Sequence, residues 1–154
     1  MNPVESSTLQ QAVSALRSDN KEEAMEWLKQ LLSEHPGHEL GGGMLASIYA
    51  ELGMIEQAAA LYQEVLAQHP DNPLARFQWG LLLFNRDQLV DALAVWEPLL
   101  ASTDDFMAHF QSALAMAKLN HLSEARHLLS TAESRMPLSH EMRPHLEALQ
   151  QALE

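Results

Sequence analysis

The sequence contains no cysteine among its 154 residues. Without thiols, neither a disulfide framework nor a thiolate zinc site can hold the fold together. Glycine and proline are also few, at six and seven residues, whereas hydrophobic residues make up 47% of the chain. This balance predicts a folded chain with room for one domain and argues against disorder.

Targeting signals and basic clusters are also missing. Residues 1–10 are polar and have neither the basic nor the apolar region of a secretory signal, and no apolar run approaches membrane length. We therefore expect a cytoplasmic protein that does not insert into a membrane. Nine Lys and Arg against 21 Asp and Glu leave a formal charge of −12, which argues against binding to nucleic acid. The acidic excess indicates either a well-solvated surface or a basic partner, and both readings stay open.

A period of 33 or 34 residues runs through the chain. Small residues recur at this spacing, as Ala24, Ala58, Ala92 and Ala125. Residues that tolerate a left-handed backbone share the spacing, as Asp19, Gly53, Asp87 and Asn120. Prolines follow at Pro36, Pro70 and Pro137, with Asp104 at the place of the third one. The shared period predicts four copies of one structural unit.

Between these marks the apolar residues follow helical spacing, and no stretch alternates as a half-buried strand does. Helix starts are predicted by two capping boxes, Ser7 with Gln10 and Asn20 with Glu23. Asn72 before Pro73 is typical of an N-cap with proline at the first helical position. Residues 139–153 form one last amphipathic segment, as expected for a helix that shields the end of a repeat array.

The second unit carries the pattern of a known family most completely, with Leu45, Ala46, Tyr49, Ala58, Tyr62, Leu66 and Pro70. These residues resemble the tetratricopeptide repeat, a 34-residue helix–turn–helix unit. The resemblance implies an all-α, right-handed superhelical solenoid. The expected solenoid contains repeats at about 5–38, 39–72, 73–105 and 106–138, followed by a capping helix at about 139–153. We expect these parts to form a single domain over 1–154.

Motif residues of this kind are packing residues. The small residue of each unit lets paired helices approach, and a bulky residue four positions later fills the space beside it, as Leu28, Tyr62, Trp96 and Leu129. We therefore expect the motif residues Trp79, Trp96, Tyr49 and Tyr62 to lie in the core rather than on a binding surface.

By the same resemblance, the first helix of each repeat lines a concave groove. The expected partner-binding residues are Leu9, Val13, Leu40, Gly43, Met44, Ser47, Leu74, Phe77, Leu81, Phe84, Phe110 and Leu114. This wall is unusually apolar, and the small side chains beside Phe77, Leu81 and Phe84 predict a pocket for an apolar anchor. Repeats that hold carboxylate-ended tails line the groove with basic residues, and here only Arg17, Asn85 and Lys118 lie near its edge. We therefore do not expect that ligand type.

Three departures from the pattern lead to further expectations. Gly41, Gly42 and Gly43 open the second unit, which indicates a late helix start or a hinge rather than close approach of a ligand. Pro98 falls late in the second helix of the third unit and is expected to kink or end it. With proline missing at Asp104, the junction between the third and fourth units is expected to be irregular.

The eight histidines show no spacing typical of metal ligands on one helix face, so we interpret all of them as surface or turn residues. No phosphate loop, nucleophile elbow or zinc-protease motif occurs. We therefore expect neither an enzyme, a cofactor nor a metal. The sequence predicts an adaptor or chaperone-like module that binds an apolar or amphipathic, possibly basic, segment of another protein. The alternative is a homodimer that uses the same groove as its interface.

Overall fold

A computed structural model describes residues 2–102 and 104–154. Met1 and Thr103, which belong to the expected domain and to its third repeat, lie outside the described residues. Helices account for the regular structure of the described chain, which contains no strand. They are α1 (Pro3–Arg17), α2 (Lys21–Glu34), α3 (Glu39–Glu51), α4 (Ile55–Gln68), α5 (Pro73–Asn85), α6 (Leu89–Trp96), a 3₁₀ helix (Glu97–Ala101), α7 (Phe106–Lys118), α8 (Leu122–Arg135) and α9 (Arg143–Ala152).

The contacts between residues divide the chain into two compact units. The first unit is Met1–Trp79 and the second is Gly80–Glu154, so that the boundary falls within α5. The expectation of one domain over 1–154 stays a prediction. In each unit, helices that follow one another along the chain pack against each other, α1 on α2 and α3 on α4 in the first, α7 on α8 in the second.

The turns between paired helices have the predicted backbone. Asp19, Gly53, Asp87 and Asn120 have φ values of 57°, 77°, 61° and 63°. Aspartate and asparagine enter this left-handed region more readily than other residues with a Cβ, and glycine enters it without strain. The same short turn therefore recurs at the predicted period and reverses the chain after the first helix of each pair.

Small residues form the helix contacts, as the motif predicts. Ala24, Ala58, Ala92 and Ala125 have no exposed surface. Their bulky neighbours Leu28, Tyr62, Trp96 and Leu129 are at most 3% exposed. The core of the first unit contains Ala12, Ala15, Ala24, Leu28, Leu45 and Ile48. The core of the second contains Phe110, Ala113, Ala125, Leu129, Ala132, Met136, Leu146 and Leu153.

The helix starts were partly predicted. Asn20 and Asn72 accept hydrogen bonds from the backbone N–H groups of Glu23 and Ala75, as expected of N-caps. The predicted N-cap at Ser7 is wrong, because the N-cap of α1 is Asn2, five residues earlier. Asn2 and Glu5 form a reciprocal capping box there and Pro3 occupies the first helical position, so the helix is already established at Ser7.

The three glycines do not delay α3, which begins at Glu39, and the prediction of a late start is wrong. A Cβ on Gly41 would lie 2.7 Å from Leu31 Cδ2, and one on Gly42 would lie 2.5 Å from Val65 Cγ2. Both glycines are buried. A methyl group at either position would force a side chain of α2 or α4 to move, and the β-branched Val65 beside Gly42 has less freedom to do so than Leu31 beside Gly41.

The irregular junction before the fourth repeat is present in the second unit. Helix α6 ends at Trp96, and Pro98 lies in the first turn of the 3₁₀ helix that follows. Proline has no backbone N–H to continue an α-helical ladder, which explains the change. The last helix is shorter than predicted, because residues 137–142 form turns and α9 begins at Arg143, with Pro144 in its first turn.

Candidate partner-binding site

A cavity of about 260 Å³ lies in the first unit, between α3 and the beginning of α5, with α4 contributing one wall residue. Its lining consists of Glu39, Leu40, Gly43, Met44, Ser47, Tyr62, Asn72, Leu74, Ala75 and Gln78. The apolar and small side chains make it a site for a hydrophobic group, and its polar groups are those of Glu39, Asn72, Ser47, Tyr62 and Gln78.

Gly43 keeps the cavity open. Its α3 neighbours Gly41 and Gly42 are buried against other helices, but a Cβ built on Gly43 would meet no atom within 4 Å. The missing side chain of Gly43 therefore leaves free volume at the surface of α3. This is the position in the glycine run at which an added side chain would enter open space.

Tyr62 forms the buried aromatic part of the wall and is 2% exposed. Burial raises the pKa of the Tyr62 hydroxyl above its ordinary value of 10.0, against the effect of a hydrogen bond with Ser47. The phenol is therefore neutral over the physiological pH range. Its ring offers an apolar surface to a ligand, and its hydroxyl is held by a neighbouring lining residue.

A hydrogen-bonded carboxylate marks the polar rim. The Asn72 side-chain amide donates to Glu39 Oε1 at 2.7 Å, and His69 Nδ1 lies 3.5 Å from Glu39 Oε2. Asn72 also caps α5 by accepting from the Ala75 N–H at 2.8 Å. The rim thus links the first turn of α3 to the first turn of α5.

The structure brings five of the twelve predicted residues together at this cavity: Leu40, Gly43, Met44, Ser47 and Leu74. Leu9 and Val13 lie half-buried on α1, and Leu9 packs against the core of the first unit. Phe77 is half-buried on α5 of the same unit. The aromatic residue that lines the cavity is Tyr62 instead of the expected Phe77.

The other predicted residues belong to the second unit. Leu81, Phe84 and Leu114 are half-buried there. The Phe84 ring centroid is 6.0 Å from that of Trp96, and the Lys118 ammonium lies 5.2 Å from the Phe84 centroid. Phe84 thus interacts with both an indole ring and a cation of its own unit.

Phe110 was assigned to the groove incorrectly. It has no exposed surface and lies in the core of the second unit with Ala113, Leu129 and Leu146. Helix α9 contributes Leu146 to this core. The repeat pattern describes two helices per unit and leaves out α9. It therefore predicts that Phe110 faces outward, although α7, α8 and α9 enclose its side chain.

Sequence reasoning missed five lining residues: Glu39, Tyr62, Asn72, Ala75 and Gln78. Tyr62 was assigned only to the core and Asn72 only to a helix cap. Both assignments are correct but incomplete, because one face of each residue also borders the cavity. No signal in the sequence distinguishes the lining residues Glu39 and Gln78 from other polar residues on helix surfaces.

One histidine departs from the expected surface or turn location. His109 is 4% exposed in α7, and its Nδ1 lies 2.8 Å from the Asp105 carbonyl oxygen. This hydrogen bond within the helix satisfies one ring nitrogen, which lets the imidazole be buried. Within residues 2–102 and 104–154, no three His, Asp or Glu side chains are grouped as metal ligands.

Consecutive helices that pack in pairs within the described residues, α1 with α2, α3 with α4 and α7 with α8, are typical of a helical repeat protein. The tetratricopeptide repeat model matches residues 15–75 and 49–117. The chain belongs to the tetratricopeptide repeat family, and the predicted all-α repeat fold is confirmed. Membership of this family makes it a protein-interaction scaffold. No curated protein matches the sequence.

Solved structures share the fold at low sequence identity. MamA (residue 41 to the end) from Desulfovibrio magneticus RS-1 is similar with a TM-score of 0.81 and 21% identity, over 98% of this chain and 88% of that one. PilW, described as a type IV pilus biogenesis factor, has a TM-score of 0.77 and 21% identity, over 90% of this chain and 65% of that one. In the described part of this chain, no helix has the length and apolar character needed to span a bilayer.

Proposed function

We propose that the protein is a non-catalytic adaptor or chaperone-like module that binds an apolar or amphipathic segment of a partner protein at the cavity of the first unit. The observation that carries this proposal is the cavity itself, which combines free volume at Gly43 with a largely apolar lining. Side chains in the same lining supply hydrogen-bonding groups that would orient a peptide backbone or side chain.

The size of the cavity favours a peptide side chain as its occupant. Pockets for small molecules usually measure about 300–1,000 Å³, and the volume here, about 260 Å³, falls below that range. A single anchor side chain from a bound segment needs less space than a drug-sized ligand or a cofactor. Anchors of this kind supply most of the affinity of many protein interfaces.

Two exposed leucines of the cavity lining extend the apolar contact surface outward. Leu40 is 55% exposed and Leu74 is 66% exposed. Covering such side chains contributes about 25 cal/mol per Å² of apolar area, before the cost of ordering the partner. A partner segment that inserted one anchor and lay across both leucines would therefore gain affinity from three apolar contacts.

The proposed binding site is tested with a variant whose added side chain fills the cavity. A Cβ at position 43 meets no atom within 4 Å and leucine is a better helix former than glycine, so we expect Gly43→Leu to fold. Ala60→Leu is the matched control, because Ala60 is exposed on α4 and lies about 200° around that helix from Tyr62. Selection from a displayed library of random linear peptides should yield binders of the wild type that also bind Ala60→Leu and lose at least tenfold in affinity for Gly43→Leu.

Peptides that bind Gly43→Leu and the wild type with equal affinity would show that the cavity is not the binding site. The homodimer alternative makes a different prediction for the same variants. If a second copy occupies the site, sedimentation equilibrium should show a mass that rises with concentration for the wild type and stays monomeric for Gly43→Leu. That result would favour self-association over adaptor function.

A further inference from the structure

We propose that the segment bound at this cavity is basic, with a Lys or Arg beside the apolar anchor that donates to the Glu39 carboxylate. The inference rests on the proposed function and specifies the chemistry of the partner. It depends on how Glu39 is held and on the charge of the unit that contains it.

Glu39 is a positioned acceptor with capacity for another donor. Its Oε1 accepts from Asn72 at 2.7 Å and its Oε2 faces His69 at 3.5 Å. An ionised carboxylate has about four acceptor sites, so these two partners leave sites for a ligand. The Glu39 side chain is 44% exposed, which keeps it accessible to a donor from solution.

Asn72 fixes the direction of this carboxylate. Its side-chain oxygen accepts from the Ala75 N–H at the start of α5, which turns the amide nitrogen toward Glu39. Because the Asn72 side chain is held at both ends, Glu39 is oriented before a ligand arrives. Preorganisation of this kind reduces the ordering cost of binding.

The surrounding charge favours a cation. Residues 2–79 contain eleven Asp and Glu and four Lys and Arg, a formal charge of −7. Two of these four cations have partners elsewhere, since Lys21 lies 2.7 Å from Glu51 and Arg76 donates to the Pro70 carbonyl oxygen at 3.1 Å. The first unit therefore carries excess negative charge that would attract a basic segment and repel an acidic one.

The test compares the flanking residues of selected peptides. Wild-type protein should enrich sequences in which Lys or Arg adjoins an apolar anchor. Glu39→Gln keeps an oxygen that can accept from Asn72, so we expect it to fold and to retain the anchor while losing the basic preference. Glu64→Gln is the matched control, because Glu64 is an exposed carboxylate about 200° around α4 from Tyr62.

The affinity of one enriched peptide then gives the size of the contribution from its basic residue. Replacing its Lys or Arg by Gln should weaken binding to wild type about two- to fivefold, the range for a partly exposed ion pair. The same replacement should not weaken binding to Glu39→Gln. The peptide variants leave the protein unchanged, so this comparison also holds if Glu39→Gln is less stable. Added salt should reduce the difference between the two peptides on the wild type.

Different results would contradict this inference alone or the proposed function as well. Peptides that share an apolar anchor but show no preference for basic neighbours would overturn this inference and leave the proposed function intact. A basic preference that Glu39→Gln retains would overturn the role of Glu39. If Gly43→Leu blocks none of the selected peptides, or if a second copy of the chain fills the site, the proposed function and this inference both fail.

Discussion

The position of each glycine decides whether a side chain can be added there. Gly80 is buried beside Trp96, and a Cβ on Gly80 would overlap the indole ring. Gly43 lies in a helix of the same length, yet a Cβ there would meet open space. The two residues are alike in sequence context, since both fall within a first helix of a repeat. Their difference comes from the side chain that faces them.

Gly80→Ala should therefore destabilise the protein although alanine is the better helix former. The added Cβ would overlap several atoms of the Trp96 ring, so we expect a cost in the upper part of the overpacking range, about 2–3 kcal/mol, against a gain in helix propensity of about 1 kcal/mol. Gly43→Ala adds the same methyl group without the clash and should be neutral or stabilising. Urea denaturation followed by circular dichroism measures both, and equal stabilities for the two variants would contradict this account.

At the scale of the element, α9 is held by arginines at both ends. Arg143 donates from Nη1 to the carbonyl oxygens of Glu133 and Met136, at 3.1 Å each. Arg126 Nε donates to the Leu153 carbonyl oxygen at 2.8 Å. Leu146 within the helix and Leu153 at its C-terminal end contribute side chains to the core of the second unit. A short helix of ten residues is marginal alone, so these contacts stabilise α9.

Arg143→Met should loosen this helix. It keeps most of the aliphatic stem but removes donors to carbonyl oxygens at the end of α8, a loss of about 1–3 kcal/mol. Amide hydrogen exchange should accelerate in residues 143–152 more than in α7. Lys29→Met is the control, because Lys29 is an exposed cation on α2 of the first unit. Similar exchange in both variants would show that the Arg143 contacts do not hold α9.

Some helix starts can be predicted from residues that are close in the sequence. Asn20 and Asn72 cap their helices as predicted because an N-cap is a local interaction between residues three apart. The start of α1 was mispredicted because two such signals, Asn2 with Glu5 and Ser7 with Gln10, compete in adjacent turns. The one nearer the N-terminus formed the cap.

At the scale of the whole molecule, charge is the property that the sequence defines most directly. The formal charge of −12 on 154 residues causes self-repulsion in the compact state. We expect sodium chloride to raise the thermal midpoint between about 0.01 M, where the Debye length is about 30 Å, and about 0.15 M, where it is about 8 Å. Sucrose of equal osmolality is the control. A midpoint that does not change over this range would show that repulsion is not a significant destabilising term.

The sequence by itself determined the period, the helical character of the repeat, the left-handed turns and the small residues at the helix contacts. These features depend on backbone preferences and on spacing along one chain, so a single sequence is enough to predict them. The tertiary structure decided which side chains border the cavity and which are enclosed. Glu39 meets Asn72 across 33 residues, and Phe110 is covered partly by Leu146. Contacts of this range depend on how helices distant in sequence are packed, and no local pattern records them.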